Sequence, residues 1–359
     1  MHSLAWLAWL VAAIAALSAT RNPLYLLLAV ACLALVGVSL PQEPSRLSRP
    51  FAVWKFGLLL IGLAAIFNAL ISHYGETRLF TIPGRLPLVS GDVTLEALVY
   101  GATNGLALAG LLGAFWVLGQ TLPVRALVGL IPRAFYPLAV VATIAVTYLP
   151  ATLRQFQQIR EAQAVRGHAL RGLRDWLPLF MPLLVGGLER ALQLSEAMTA
   201  RGFASQGKPV GSIWQRAWPR LAMLAGLLLL AGGWVVRLSV KAEWIGWLGL
   251  APGVGLIGLG LWASGLRYPR STYRPPPWQA KDTLTLVGAL LVLAVLWLPL
   301  PGSGSVALWY TPYPTLHIPP FDVRLGVALL GLLGPLMFSL RPRRRPRHGA
   351  RRQLGAGLR

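Results

Sequence analysis

The sequence predicts an all-α polytopic membrane protein: about eight membrane-spanning helices and two long helices at the cytoplasmic face. Three observations carry this. The 359 residues are 55% hydrophobic and only 12% charged, against about a quarter charged in a soluble domain, and the mean hydropathy is +0.60. Apolar runs recur at lengths near the roughly 20 residues that cross a bilayer. Lysine and arginine gather between and after those runs rather than inside them, where they set topology and meet anionic lipid.

The spans follow in order as 4–18, 24–40, 51–72, 95–118, 217–240, 244–266, 283–300 and 323–340. The first two are short, which leaves two arrangements: spans with little tilt, or a tight hairpin around Asn22-Pro23. A ninth apolar stretch, 134–150, is bracketed by Pro137 and Pro150 and continues directly into Arg154, Arg160 and Glu161. Charge decides its placement, because basic residues favour cytoplasmic loops. With the N-terminus inside and eight spans, the inner side receives Arg125 and Arg133, the whole 154–216 region, Arg267, Arg270, Arg274 and Lys281, and the tail. Loop 301–320, which holds no lysine or arginine, falls outside. Counting 134–150 as a full span puts the basic region or the tail on the wrong side. It is therefore expected to lie partly in the membrane and run on into the cytoplasm. Stretch 178–194 is interrupted by Glu189 and Arg190, while Leu184, Leu188, Ala191, Leu192 and Ser195 keep helical spacing; that pattern predicts an amphipathic helix. The expected organisation is thus 1–133 spanning helices, 134–216 cytoplasmic helices, 217–340 spanning helices, and a basic tail over 341–359. The tail carries Arg341, Arg343, Arg344, Arg345, Arg347, Arg351 and Arg352, a cluster suited to anionic lipid. Both termini are expected on the cytoplasmic side of the cell (inner or plasma) membrane.

The most informative pattern occurs twice. Glu161-Ala162-Gln163-Ala164-Val165-Arg166-Gly167 recurs as Glu196-Ala197-Met198-Thr199-Ala200-Arg201-Gly202, and each copy ends a helix-prone stretch. One copy alone reads as ordinary capping: glycine terminates helices and an arginine in the last turn suits the helix dipole. Two copies in register on one face point further. Glycine lets another backbone approach closely, and arginine offers a planar, permanently charged fork. A partner with two equivalent clefts is the natural counterpart.

At these residues the chain resembles the transmembrane T component (EcfT/CbiQ-like) of energy-coupling factor transporters, the vitamin and metal-ion importers of the ABC class. That family carries an Ala-Gln-x-x-Arg-Gly motif, matched by Ala162 to Gly167, and a Glu-Ala-Met-x-x-Arg-Gly motif followed by an aromatic, matched by Glu196 to Phe203. Arg21-Asn22-Pro23, Thr121-Leu122-Pro123 and Tyr148-Leu149-Pro150 agree as well. The resemblance covers roughly residues 1–268; the later spans and the tail exceed the usual length, and Val165 stands where a small alanine is usual. It implies a non-catalytic scaffold whose coupling helices dock on two ATPase subunits, a homo- or heterodimer, and pass their motion to a membrane-embedded S component that holds the substrate. Ala164, Val165, Arg166 and Gly167, with Ala200, Arg201 and Gly202, would form the docking tips; Glu161, Gln163, Glu196 and Met198 would support them.

What is missing agrees with that reading. The sequence has no GxxxxGK[ST] phosphate loop, and His2, His73, His168, His317 and His348 show no metal-ligand spacing. No cofactor, metal or nucleic acid is expected. Cys32 sits alone inside an apolar run. Aspartate and glutamate are almost missing from the spans; Glu96, near the start of the fourth, is the main exception, either a functional group inside the membrane or an interfacial one. Two rivals remain: a conventional ABC permease, for which a single loop motif would suffice, and a membrane enzyme acting on lipids or glycans, with Arg166 and Arg201 holding a phosphate and Glu161 and Glu196 as its acid pair.

Overall fold

The structure is a computed structural model that describes residues 2–40, 50–82, 91–167, 172–203, 213–239, 243–266, 277–297 and 308–336. The arginine-rich tail, His168, His348, Arg267, Arg270 and Arg274 lie outside the described residues. The protein is an all-α polytopic membrane protein, and its chain divides into two compact units, 1–123 with 275–359, and 124–274.

The first unit is built from α1 (Ser3–Ala19), α2 (Pro23–Ser39), α3 (Pro50–Ile71), α4 (Leu95–Thr121), α10 (Ala280–Trp297) and α11 (Val323–Leu329). Short polar caps start its helices. Asn22 accepts a hydrogen bond from the Leu24 backbone N–H, with Pro23 in the first turn. Thr94 does the same for the N–H of Ala97. Both follow from the need to satisfy the free N–H groups of a first turn. Of the two arrangements open to the first two apolar runs, the hairpin at Asn22-Pro23 is present between α1 and α2. Helices α3 and α4 approach closely because of Gly101 and Gly105: a Cβ on Gly101 would lie 2.5 Å from the Ala64 carbonyl oxygen, and one on Gly105 2.7 Å from the Ile61 Cα. Trp9, Leu17, Tyr25, Leu26 and Leu33 form the buried centre, and Cys32 is buried there too.

Between α3 and α4 the chain makes an element that hydropathy does not reveal, a two-stranded antiparallel hairpin of β1 (Arg78–Ile82) and β2 (Gly91–Thr94). Arg78 and Asp92 form an ion pair across it at 3.0 Å. Glu96, fully buried in the first turn of α4, accepts a hydrogen bond from the Thr77 N–H at 3.1 Å and so ties the hairpin to that helix. Gly75, at φ +134°, makes room for it, since a Cβ there would sit 2.5 Å from Glu96 Oε2.

The second unit contains α5 (Val124–Val128), α6 (Tyr136–Val165), α7 (Leu177–Ala200), α8 (Ile213–Ser239) and α9 (Glu243–Gly265). Helices α8 and α9 form a hairpin along small residues: Gly226 and Gly253 face each other so closely that a Cβ on either would come within 2.9 Å of the other's carbonyl oxygen. Such contacts bring backbones together where dispersion, not water exclusion, holds helices in lipid. Helix α6 runs unbroken through Pro150, as the continuation from 134–150 into the basic stretch requires.

Among the described residues six helices are long and apolar enough to cross a membrane, and α1, α2, the described end of α9 and Val323–Leu333 are shorter apolar helices. The six include α6, which sequence reasoning expects to lie partly in the membrane and run on into the cytoplasm, and α7, which it expects as an amphipathic cytoplasmic helix; by length and composition both can cross.

Candidate helix-tip docking site

The two repeated motifs close α6 and α7 in the same way. Helix α6 ends at Val165 and α7 at Ala200. Beyond each arginine the glycine takes the left-handed conformation, φ +78° at Gly167 and +76° at Gly202, which ordinary side chains enter only with strain. The Gly167 N–H donates to the Ala164 carbonyl at 3.0 Å and the Gly202 N–H to that of Thr199 at 2.9 Å. These bonds satisfy carbonyls that a helix C-terminus leaves open. The chain therefore turns sharply away and leaves each arginine at an uncovered tip.

Exposure follows. Glu161, Ala164, Arg166 and Gly167 at the first tip are exposed, as are Glu196, Ala200, Arg201 and Gly202 at the second. Gln163 and Met198, at matching positions, are half-buried. Val165 is 90% exposed, whereas its counterpart is Ala200. Among the described residues neither Arg166 nor Arg201 has a carboxylate partner. Both arginines are exposed.

The packing of α6 on α7 decides what the tips can do together. Gln155 meets Arg190 in a side-chain hydrogen bond, and Arg190 Nε donates to the Gly186 carbonyl at 2.9 Å. In the second half of α6 the ring of Phe156 stacks on Trp176, with centroids 6.3 Å apart. At the opposite end Tyr136, the first residue of α6, stacks on Phe203, just past the second tip, at 6.5 Å. The two helices are thus antiparallel, and each tip lies at a different end of the pair. Helix α6 has 30 residues, so at a rise of about 1.5 Å per residue the tips stand roughly 45 Å apart. Arg166 and Arg201 do not converge, and neither do Glu161 and Glu196. No single phosphate or acid–base site can use both copies.

Among the described residues the second tip is braced and no matching contact is seen at the first. Met198 and Phe203 fold back over the start of α6, around a cavity of about 340 Å³ that Tyr136, Pro137, Val140 and Ile144 also line. Sequence reasoning found the tip residues but not this brace, nor the Gln155–Arg190–Gly186 crossing. Phe203 was visible only as the aromatic after the motif, and Arg190 only as an interruption of an apolar run. The stripe predicted on α7 is uncovered by the described residues, with Leu184, Leu188 and Leu192 all more than half exposed. Glu96 belongs to the first unit and ties its hairpin to α4 there. Among the described residues no group of His, Cys, Asp or Glu is arranged to hold a metal ion.

Comparison with known proteins places these features. The profile of CbiQ, described as cobalt transport protein, matches residues 2–210. Three relatives named energy-coupling factor transporter transmembrane protein EcfT are similar. That of Limosilactobacillus fermentum is 28% identical over 200 residues, 51% of this chain and 71% of its own. That of Leuconostoc gelidum is 36% identical over 72 residues, 18% of this chain and 27% of its own. That of Acidaminococcus fermentans is 28% identical over 102 residues, 27% and 38%. In two of the three, the matched stretch spans well under half the relative's length.

Proposed function

Since the chain belongs to the CbiQ cobalt transport protein family, we propose that it is the transmembrane coupling subunit of an energy-coupling factor importer, with no chemistry of its own. One observation carries this: two matching arginine–glycine tips, both uncovered, held roughly 45 Å apart by a single helix pair. That arrangement suits two separate subunits with one groove each, here two ATPases as a homo- or heterodimer. When the ATPases close and open on ATP, grooves that grip the tips would move the ends of α6 and α7. The helices would pass that motion to a membrane-embedded S component. The exposed apolar stripe of α7 supports such a neighbour, because leucines at one helical face are stable there only against lipid or another apolar surface. The S component would select the substrate, a vitamin or metal ion.

Each tip anchors through one arginine, whose fork makes charge-assisted, bidentate bonds to carboxylates. Ala164, Val165 and Ala200 set how near the groove can come; Glu161, Gln163, Glu196 and Met198 shape the last turns behind them. The test is co-purification of the tagged full-length protein from its native membrane, followed by identification of what comes with it. Two ATPase chains and a small membrane protein are expected. Recovery with a glycan- or lipid-modifying assembly and no ATPase would overturn the proposal.

A further inference from the structure

The cavity of about 340 Å³ beside the second tip has a neighbour of about 180 Å³ that shares its wall of Tyr136, Val140, Ile144 and Met198. Tyr136 and Thr143 aside, the side chains that line the two are apolar. Thr143 offers an occupant little, because its hydroxyl already donates to the Ala139 carbonyl at 2.7 Å. Pro137, Val140, Val141 and Ile144 recur at helical spacing, so one face of α6 supplies the floor. The larger volume lies in the range of sites for small ligands, about 300–1,000 Å³. An open apolar hollow is unfavourable against water and stable against hydrocarbon. The surface beside it has the same character, with Leu138 and Val141 more than half exposed. This is also the stretch whose sequence predicts a position partly in the membrane.

A cation stands beside the hollow. Arg133, one turn before Tyr136, is exposed and has no carboxylate partner among the described residues. The end of α9 fixes its place: a Cβ on Gly265 would lie 3.0 Å from the Arg133 Cβ. Between Glu96 and Glu161 the sequence holds no acidic residue, so nothing nearby in the chain neutralises this end of α6. An apolar cleft with a fixed cation next to it matches both parts of a lipid, the hydrocarbon chain and the anionic phosphate. Basic pockets between helices near a membrane surface hold such headgroups.

We propose that the start of α6 and the end of α7 form a binding site for an anionic phospholipid, one acyl chain lying along Val140, Ile144 and Met198 and the phosphate held by Arg133. Arg201 stays available at its tip, so the site goes beyond the coupling role and stands whether or not the tips dock ATPases.

The test uses the full-length protein in phosphatidylcholine nanodiscs that carry a small fraction of either phosphatidylglycerol or phosphatidylcholine, each with the same photoactivatable acyl chain. Adducts are located by mass spectrometry. Phosphatidylglycerol adducts should concentrate on the peptides holding Val140, Ile144 and Met198, and exceed those of phosphatidylcholine there about fivefold, the effect of one basic residue near the surface. Val140→Trp, which fills the hollow, should remove them and leave labelling elsewhere unchanged. Arg133→Gln keeps the Cβ against Gly265 and removes only the charge; it should lower phosphatidylglycerol labelling to the phosphatidylcholine level, and this reading does not depend on how Val140→Trp folds. Equal labelling by the two lipids, or an excess that Arg133→Gln leaves intact, would overturn the proposal. So would a photo-crosslinker at Val141 that captures another polypeptide in the native membrane, since the hollow would then be a protein interface.

Discussion

Arg166 and Arg201 lie one residue before a left-handed glycine, and the pair acts as a unit: the glycine ends the helix and the arginine is left at its rim. Replacing either arginine by alanine removes a charged fork without touching a membrane span. Each single variant is expected to weaken ATPase capture about tenfold or more, since hydrogen bonds to charged groups contribute roughly 1.5–3 kcal/mol; the double variant should lose it, with membrane insertion unchanged. Pull-down with purified ATPases checks this, and normal capture by the double variant would refute the docking role. Gly202→Val keeps the arginine but forces a β-branched residue to φ +76°, at a cost of roughly 1–2 kcal/mol. The chain should relieve that strain by re-forming the turn, so capture should fall although Arg201 is intact. At Gly167 a Cβ would meet nothing within 4 Å among the described residues, so any loss of stability there comes from backbone strain rather than from a clash within the chain. Sequence reasoning located all of these residues because capping is local: the helix end and its glycine are neighbours in the chain.

Elements show where local reasoning stops. The α8–α9 hairpin depends on facing glycines, and Gly226→Leu would drive a side chain into the Gly253 carbonyl, which lies 2.8 Å from the Cβ position. The expected loss is about 1–3 kcal/mol of stability, read as a lowered midpoint of thermal unfolding in detergent. Gly255→Leu is the control, because nothing stands within 4 Å of its Cβ position; it should melt like the parent. Two variants that melt alike would rule out close packing as the role of Gly226. Nothing in the sequence distinguishes Gly253, which touches its partner, from Gly255, which meets nothing within 4 Å among the described residues. That distinction depends on helix rotation, which only the neighbouring helix fixes. The β1–β2 hairpin is similar: its strands are four and five residues long, too short for a period to emerge against the apolar runs around it.

For the whole molecule the decisive quantity is sidedness. Eight spans with both termini inside place a reporter fused after Arg359 in the cytoplasm and one near Ser303 outside; opposite signals at either site would mean that α6 crosses the membrane. Truncation after Leu340 removes the basic tail, whose arginines would contribute about 1 kcal/mol each to attraction for an anionic membrane surface. ATPase capture should survive, and its loss in a correctly inserted truncated protein would make the tail part of the coupling surface. The sequence alone determined the membrane class and where α6 and α7 end, because composition, hydropathy and capping act over one or a few turns; it did not determine the last helix, expected over 323–340 but α-helical only over Val323–Leu329. Only the tertiary structure decided that the tips stand at opposite ends of one helix pair, through contacts such as Tyr136 on Phe203. It also decided that the last helices close over the first two, through bonds such as Asn22 to Pro320, 298 residues apart in the chain. Such contacts leave no periodic trace, because what pairs them is the burial of donors that cannot stay unsatisfied in an apolar interior.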